Sequence, residues 1–109
     1  MEMYKSYIKE REGKELLYND KGFCTYEITG EYVYLIDVYV KPEYRKNNVA
    51  TDFMNEVADI SKECTQMITS YSTIAENWQS SKKVIQSRGF KYYTENKDEN
   101  MVYLIKEIR

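Results

Sequence analysis

The chain has 109 residues, enough for one hydrophobic core, so it is read as a single domain over 1–109. Apolar residues make up 42% and charged residues 31%, with a formal net charge of −2; this fits a soluble globular fold and gives no electrostatic basis for binding nucleic acid. No apolar run reaches the length of a membrane span and Met1–Arg11 is too charged for a secretory leader, so the expectation is a cytoplasmic protein without membrane contact.

In chain order, Met3–Lys9 alternates in the manner of a strand, and Glu12-Gly13-Lys14 reads as a turn. Leu16–Tyr18 is a brief apolar strand. The turn residues Asn19-Asp20-Lys21-Gly22 then lead into a strand over Phe23–Thr29. After Gly30-Glu31 comes the longest apolar run, Tyr32–Val40. Being nearly apolar on both faces, it suits a central strand covered on both sides. Many of the 12 tyrosines, among them Tyr4, Tyr7, Tyr34, Tyr39 and Tyr103, fit half-buried strand positions.

Pro42 ends that strand, and from Val49 the apolar period changes from two to about 3.6. Val49, Ala50, Phe53, Met54, Val57, Ile60 and Cys64 form one stripe. Met67–Ser72 is a further strand. Thr73-Ile74-Ala75-Glu76 fits a capping box opening a second helix, with Ile74, Trp78, Ser81, Ile85 and Arg88 on one face and Gly89 as its left-handed cap. Phe90–Glu95 and Met101–Ile108 form a closing hairpin. The architecture expected is α/β (α+β), a mixed, mostly antiparallel sheet flanked by two main helices, with a parallel pair where the first helix crosses over.

Cys24 and Cys64 are the only cysteines and there is no histidine. Serine–histidine and cysteine–histidine catalysis are excluded in their usual forms, and two cysteines cannot complete a zinc site, so no metal is expected. The remaining chemistry lies at the strand–turn–helix junction. A central strand feeds a turn containing Arg45 and Lys46, and the turn opens an amphipathic helix. Free N–H groups and the positive end of the helix dipole make such a turn an anion site, above all for a pyrophosphate. Asp37 interrupts the apolar strand; a charge there must be paired, exposed or shifted in pKa, and it could equally bind a cationic amine, take a proton or form a salt bridge. Glu27 and Tyr71 are weaker candidates.

Val40-Lys41-Pro42-Glu43-Tyr44-Arg45 followed by Arg45-Lys46-Asn47-Asn48-Val49-Ala50 closely resembles the signature of the GNAT N-acetyltransferase superfamily, and Gly89-Phe90 after a helix carrying Ser81 and Val84 is similar to its second motif. The resemblance covers about Tyr32 to Tyr93. It implies that Arg45, Lys46, Asn47, Asn48, Val49 and Ala50 cradle the pyrophosphate of acetyl-CoA. It also implies that main-chain groups of Val38, Tyr39 and Val40 run beside the pantetheine, and that Asn77 and Ser81 contact the cofactor from the second helix. The implied function is direct acetyl transfer from acetyl-CoA to a primary amine, on a small molecule or a protein lysine. Asp37 is then the candidate that receives the proton, and the Leu35-x-Asp37-Val38-Tyr39-Val40 run is similar to polyamine- and small-amine-directed members.

The sequence departs from the family pattern at several points. Asn48 stands where a glycine is usual, and Asn tolerates left-handed backbone. Trp78 is in register with the motif's asparagine, which puts Asn77 one residue away. Ile85 stands where many members carry a proton-donating tyrosine, and Ile36 where some carry a glutamate base. About 45 residues precede the turn, few for the usual wall of the acceptor cleft, a wall that a bulky acceptor or a homodimer partner could replace. An inactive CoA-binding or protein-interaction domain on the same fold is the alternative left open.

Overall fold

A computed structural model describes residues 1–109. The elements are α1 (Glu2–Glu12), β1 (Glu15–Asn19), β2 (Gly22–Thr29), β3 (Tyr32–Val40), α2 (Val49–Ile60), β4 (Gln66–Ser72), α3 (Trp78–Ser87), β5 (Lys91–Asn96) and β6 (Met101–Glu107), with a single 3₁₀ turn at Pro42–Tyr44. The six strands form one sheet in the order β1-β2-β3-β4-β6-β5. Every neighbouring pair is antiparallel except β3–β4, which α2 connects as a crossover. The mixed, mostly antiparallel sheet expected from the sequence is therefore present, with a third helix beside the two foreseen.

That third helix corrects the reading of Met3–Lys9 as a strand. Glu2–Glu12 consists largely of good helix formers, and only Ile8 is buried, so no apolar stripe marks it. Gly13 ends it at φ 69°, and the amides of Gly13 and Lys14 return to Lys9 and Ile8. Tyr4 and Tyr7 accordingly sit on an exposed helix surface, stacked on each other, and not in a strand.

The main core lies between the sheet and α2. Val49, Phe53 and Val57 from the helix meet Cys24, Tyr26, Val33, Leu35, Met67 and Leu104. Burying a side chain such as Phe53 stabilises the fold by about 1.5–3 kcal/mol. The stripe read from the sequence is shorter in space: α2 ends at Ile60, which is exposed, and Cys64 is buried in the following loop. Arg109 donates to the carbonyl of Ala58 in the last turn of α2 and to those of Ser61 and Cys64 in the loop that follows, tying the C-terminus to the end of the helix.

The capping box at Thr73–Glu76 does not form. The Thr73 hydroxyl donates to the Asn100 carbonyl at 3.2 Å and its amide donates to the same oxygen at 2.8 Å, so the β5–β6 turn holds it. The helix begins five residues later at Trp78, with Asn77 at its N-cap and no side-chain cap bond. Ile74, placed on the helix face by periodicity, is exposed in the preceding turn.

Candidate functional site at the splay of β3 and β4

The parallel ladder is short. Tyr32, Val33 and Tyr34 face Gln66, Met67 and Ile68, and the pairing stops there. Its cause is on the other edge of β3. Thr25 faces Asp37 while Tyr26 faces Leu35, so Ile36 is an extra residue in β3 and bends the strand away from β4. One side-chain bond, Thr69 Oγ1 to the Leu35 carbonyl at 3.2 Å, marks the point of separation.

Main-chain groups of β3 are therefore left facing a gap. Lys41 donates its amide to the Lys21 carbonyl across β2, at 2.8 Å. Strand alternation then turns Tyr39 and Asp37 toward β2, and Val38 and Val40 toward the gap. The gap opens into a cavity of about 760 Å³, within the range of small-molecule sites. Its walls come from β3 (Leu35, Ile36, Val38, Val40), β4 (Thr69 to Ser72) and α3 (Trp78, Ser81, Ile85). Trp78 stacks on Tyr71 with ring centroids 6.1 Å apart and an interplanar angle of 11°.

The cavity reaches the turn before α2. Lys46 and Asn48 both have left-handed backbone, with φ 68° and 62°. Asn is among the few side chains that adopt this region readily, which explains how the turn closes without glycine. None of the six main-chain N–H groups from Lys46 to Thr51 donates a well-formed hydrogen bond within the chain; the first to do so is Asp52, to Asn48 at 2.9 Å. A helix start ordinarily leaves about four such groups free. Here the turn adds to them, giving a run of free donors at the positive end of the α2 dipole.

Charge distribution sharpens the picture. Arg45, Lys46 and Arg88 line the cavity, and no Asp or Glu does. The ion pairs of the chain, Lys9–Glu15 and Lys14–Glu12, lie elsewhere. Arg45 is positioned by its Nε–H bond to the Val40 carbonyl at 2.9 Å and by the Tyr39 ring, 5.8 Å from its guanidinium. Arg88 donates to Thr51 Oγ1 at 3.1 Å, linking the end of α3 to the first turn of α2. Three cations without a carboxylate, in a chain of net charge −2, mark a place prepared for an anion.

Of the residues singled out from the sequence, Val38, Tyr39, Val40, Arg45, Lys46, Asn48, Val49, Ala50, Asn77 and Ser81 line this one cavity, and Tyr71 joins them. Asn47 is exposed in the turn and does not line it. Asp37 is outside it as well: it is exposed, and its Oδ2 accepts a 3.2 Å bond from Thr25 Oγ1. Since Cys24 and Val38 pair on the α2 side, the neighbouring pair Thr25–Asp37 projects from the opposite face of the sheet. Arg88 is a lining residue that the motifs do not single out, and Trp78, in register with the motif's asparagine, lines the cavity as well. Arg88 shares a helical face with Ser81 in the sequence, which was the available signal.

On that opposite face, Tyr34 and Ser70 hydroxyls lie 2.7 Å apart, and the Tyr34 ring packs on Tyr103 at 6.1 Å. Burial first, then Tyr34 and Glu99, push the Tyr103 phenol above its ordinary pKa. Ser70 and Ser72 also line the cavity, so the splay connects the two faces of the sheet.

Comparison with known proteins agrees with this geometry. The model of the acetyltransferase (GNAT) family matches residues 6–90. No curated protein sequence matches the chain. Among solved structures, a protein described as a GNAT-family acetyltransferase from Desulfovibrio desulfuricans is similar over 99% of this chain and 78% of its own, with a TM-score of 0.79 at 12% identity. The PaiA N-acetyltransferase of Thermoplasma acidophilum, solved in complex with coenzyme A, is similar over 96% and 69%, with a TM-score of 0.72 at 16% identity. The ribosomal-protein-S18-alanine N-acetyltransferase of Escherichia coli is similar over 94% and 76%, with a TM-score of 0.65 at 12% identity. At these identities the structures speak to the fold, and the family match covers most of the sequence: the chain belongs to the GNAT acetyltransferase family.

Proposed function

We propose that the chain is an acyl-CoA-dependent N-acetyltransferase that transfers an acetyl group directly from acetyl-CoA to a primary amine, on a small molecule or a lysine side chain. The observation that carries this reading is the cavity whose charged lining is entirely cationic and which reaches a run of free amides at Lys46, Asn48, Val49 and Ala50. A diphosphate needs that arrangement of donors.

Acetyl-CoA, when bound, supplies an activated thioester. The turn amides from Lys46 to Thr51, with the Arg45, Lys46 and Arg88 side chains, are suited to hold its phosphates. Val38 and Val40 offer main-chain groups to the amides of the pantetheine arm, as a neighbouring strand would. Val40 has its carbonyl engaged by Arg45 and its N–H free to face the gap, so an amide there is the candidate for stabilising negative charge on the reacting carbonyl oxygen. The apolar walls Leu35, Ile36, Trp78 and Ile85 would limit the access of water to the reacting end. Asp37 is assigned to receive the proton of the attacking amine, directly or through water, from the far face of the sheet.

The alternative is a CoA-binding domain without turnover. Ile85 in the cavity wall and the lack of any lining carboxylate favour it. Thiol release from acetyl-CoA, measured against a panel of amines and lysine peptides, separates the two. Amine-dependent release supports the enzyme; tight acetyl-CoA binding with no release on any acceptor supports the binding domain.

A further inference from the structure

Breaking a thioester leaves negative charge on sulfur, and a positioned acid that gives it a proton lowers the barrier. The cavity lining holds no carboxylate, imidazole or thiol, and Ile85 on its wall carries no proton to give. Lys46, its one ammonium, belongs to the turn that opens α2. Hydroxyls are the remaining donors. Those of Tyr39 and Tyr44 belong to rings that face Arg45 and Lys21 beside the turn. Thr69 Oγ1 commits its proton to the Leu35 carbonyl at 3.2 Å. Among the lining hydroxyls only Ser70 is bonded to another hydroxyl: its Oγ lies 2.7 Å from the Tyr34 hydroxyl oxygen.

Tyr34 does not itself line the cavity. It stands at the last pair of the parallel ladder, opposite Ile68, and its ring packs on Tyr103 at 6.1 Å. Tyr103 faces Ser70 across the β4–β6 ladder, so the three side chains form one group at the splay. Ser70 Oγ makes no other hydrogen bond. When Tyr34 donates to it, the serine proton is free to turn into the cavity. Position agrees, because Ser70 follows Thr69, which marks where the strands part beside the apolar walls Leu35 and Ile36.

We propose that Ser70 is the catalytic acid of the transfer, giving its proton to the departing sulfur while Tyr34 supplies the replacement. This rests on the acetyltransferase reading and adds the leaving-group side of the same site. The amine nitrogen bonds to the carbonyl carbon, the carbon–sulfur bond breaks, and its electron pair stays on sulfur. Sulfur takes the Ser70 proton, Ser70 takes the Tyr34 proton, and half-buried Tyr34 recovers one from water. The proton shed by the amine leaves by its own route, so one proton lost balances one gained. A phenol of pKa about 10 stands within about 1.5 units of an ordinary thiol near 8.5, which makes Tyr34 a matched source behind the serine.

The test follows the thiol of bound CoA, using CoA labelled with ¹³C beside sulfur and reading that carbon's shift against pH. Donation of a hydrogen bond to a thiolate favours the charged form and holds its pKa down. The midpoint should therefore rise by about 1 pH unit in Ser70→Ala, rise by a smaller step in Tyr34→Phe, and return toward the unmodified value in Ser70→Thr. With the best amine of the thiol-release panel, kcat should fall about a hundredfold in Ser70→Ala while the KM for acetyl-CoA changes little. Calorimetry with CoA shows which variants still bind; where Ser70→Ala does not, Tyr34→Phe, one side chain removed from the cavity, decides. A midpoint indifferent to both substitutions, a midpoint moved only by Tyr71→Phe, or an unchanged kcat in Ser70→Ala would overturn the assignment. Failure of the unmodified chain to bind CoA would remove the donor site and this assignment with it, and calorimetry reads that failure apart from the others.

Discussion

Arg45 Nε donates to the carbonyl of Val40 at 2.9 Å, closing the turn onto the strand that precedes it. The bond holds the guanidinium beside the strand end and engages the Val40 carbonyl, while the Val40 N–H still faces the gap. Arg45→Ala should weaken acetyl-CoA binding at least tenfold, since a charge-assisted bond contributes about 1.5–3 kcal/mol. Arg45→Lys should recover the charge but not the planar fork, and so only part of the affinity. Isothermal titration of the three proteins checks this; equal affinities would remove Arg45 from the site.

Asn48 holds the left-handed position that opens α2. Asn48→Val should cost about 1–2 kcal/mol of stability, because a β-branched side chain is strained at φ 62°. Asn48→Gly should be neutral or mildly stabilising. Urea midpoints for the pair give the sign directly, and a neutral Asn48→Val would show that the turn adopts another backbone.

Gly22 lies across from Val40, where a β-carbon would stand 2.0 Å from the Tyr39 carbonyl oxygen. That atom belongs to the backbone and cannot move aside cheaply. Gly22→Ala should therefore push β2 from β3 beside the turn, lowering stability by about 1–3 kcal/mol and weakening acetyl-CoA binding together. Loss of one without the other would show that the strand end and the site are uncoupled.

Cys24 is fully buried, and burial first, then Glu56, pushes its thiol up to about 12 from an ordinary 9.0. Below pH 9 the thiol is neutral in both folded and unfolded chains and has no effect on pH dependence. Between about 9 and 12 only the unfolded thiol ionises, so stability should fall as pH rises through that window. Cys24→Ala should flatten this part of the curve, isolating it from the tyrosines. In the native protein at pH 8, Cys24 should resist iodoacetamide. Rapid labelling under native conditions would contradict the burial.

The sequence carried the site through local chemistry, because the turn and Gly89-Phe90 are read residue by residue. It carried the sheet through period-two strands. Elements held by distant contacts were harder to see. α1 buries one residue, Ile8, against the sheet, too little to set a helical period. The true start of α3 depends on Thr73 bonding to Asn100, 27 residues away. The bulge at Ile36 has no mark in β3, yet it decides that Val38 faces the cavity side while Asp37 faces away. The sequence could show Asp37 as an anomaly in an apolar strand but not on which face it would emerge.

Binding of acetyl-CoA is the most direct test of the central claim. Calorimetric titration of the full chain should give one site per chain, with affinity falling as salt rises and weakened additively or more by Arg45→Ala and Arg88→Ala. Absence of binding at millimolar acetyl-CoA, or binding that neither substitution changes, would contradict the assignment of this cavity to the cofactor.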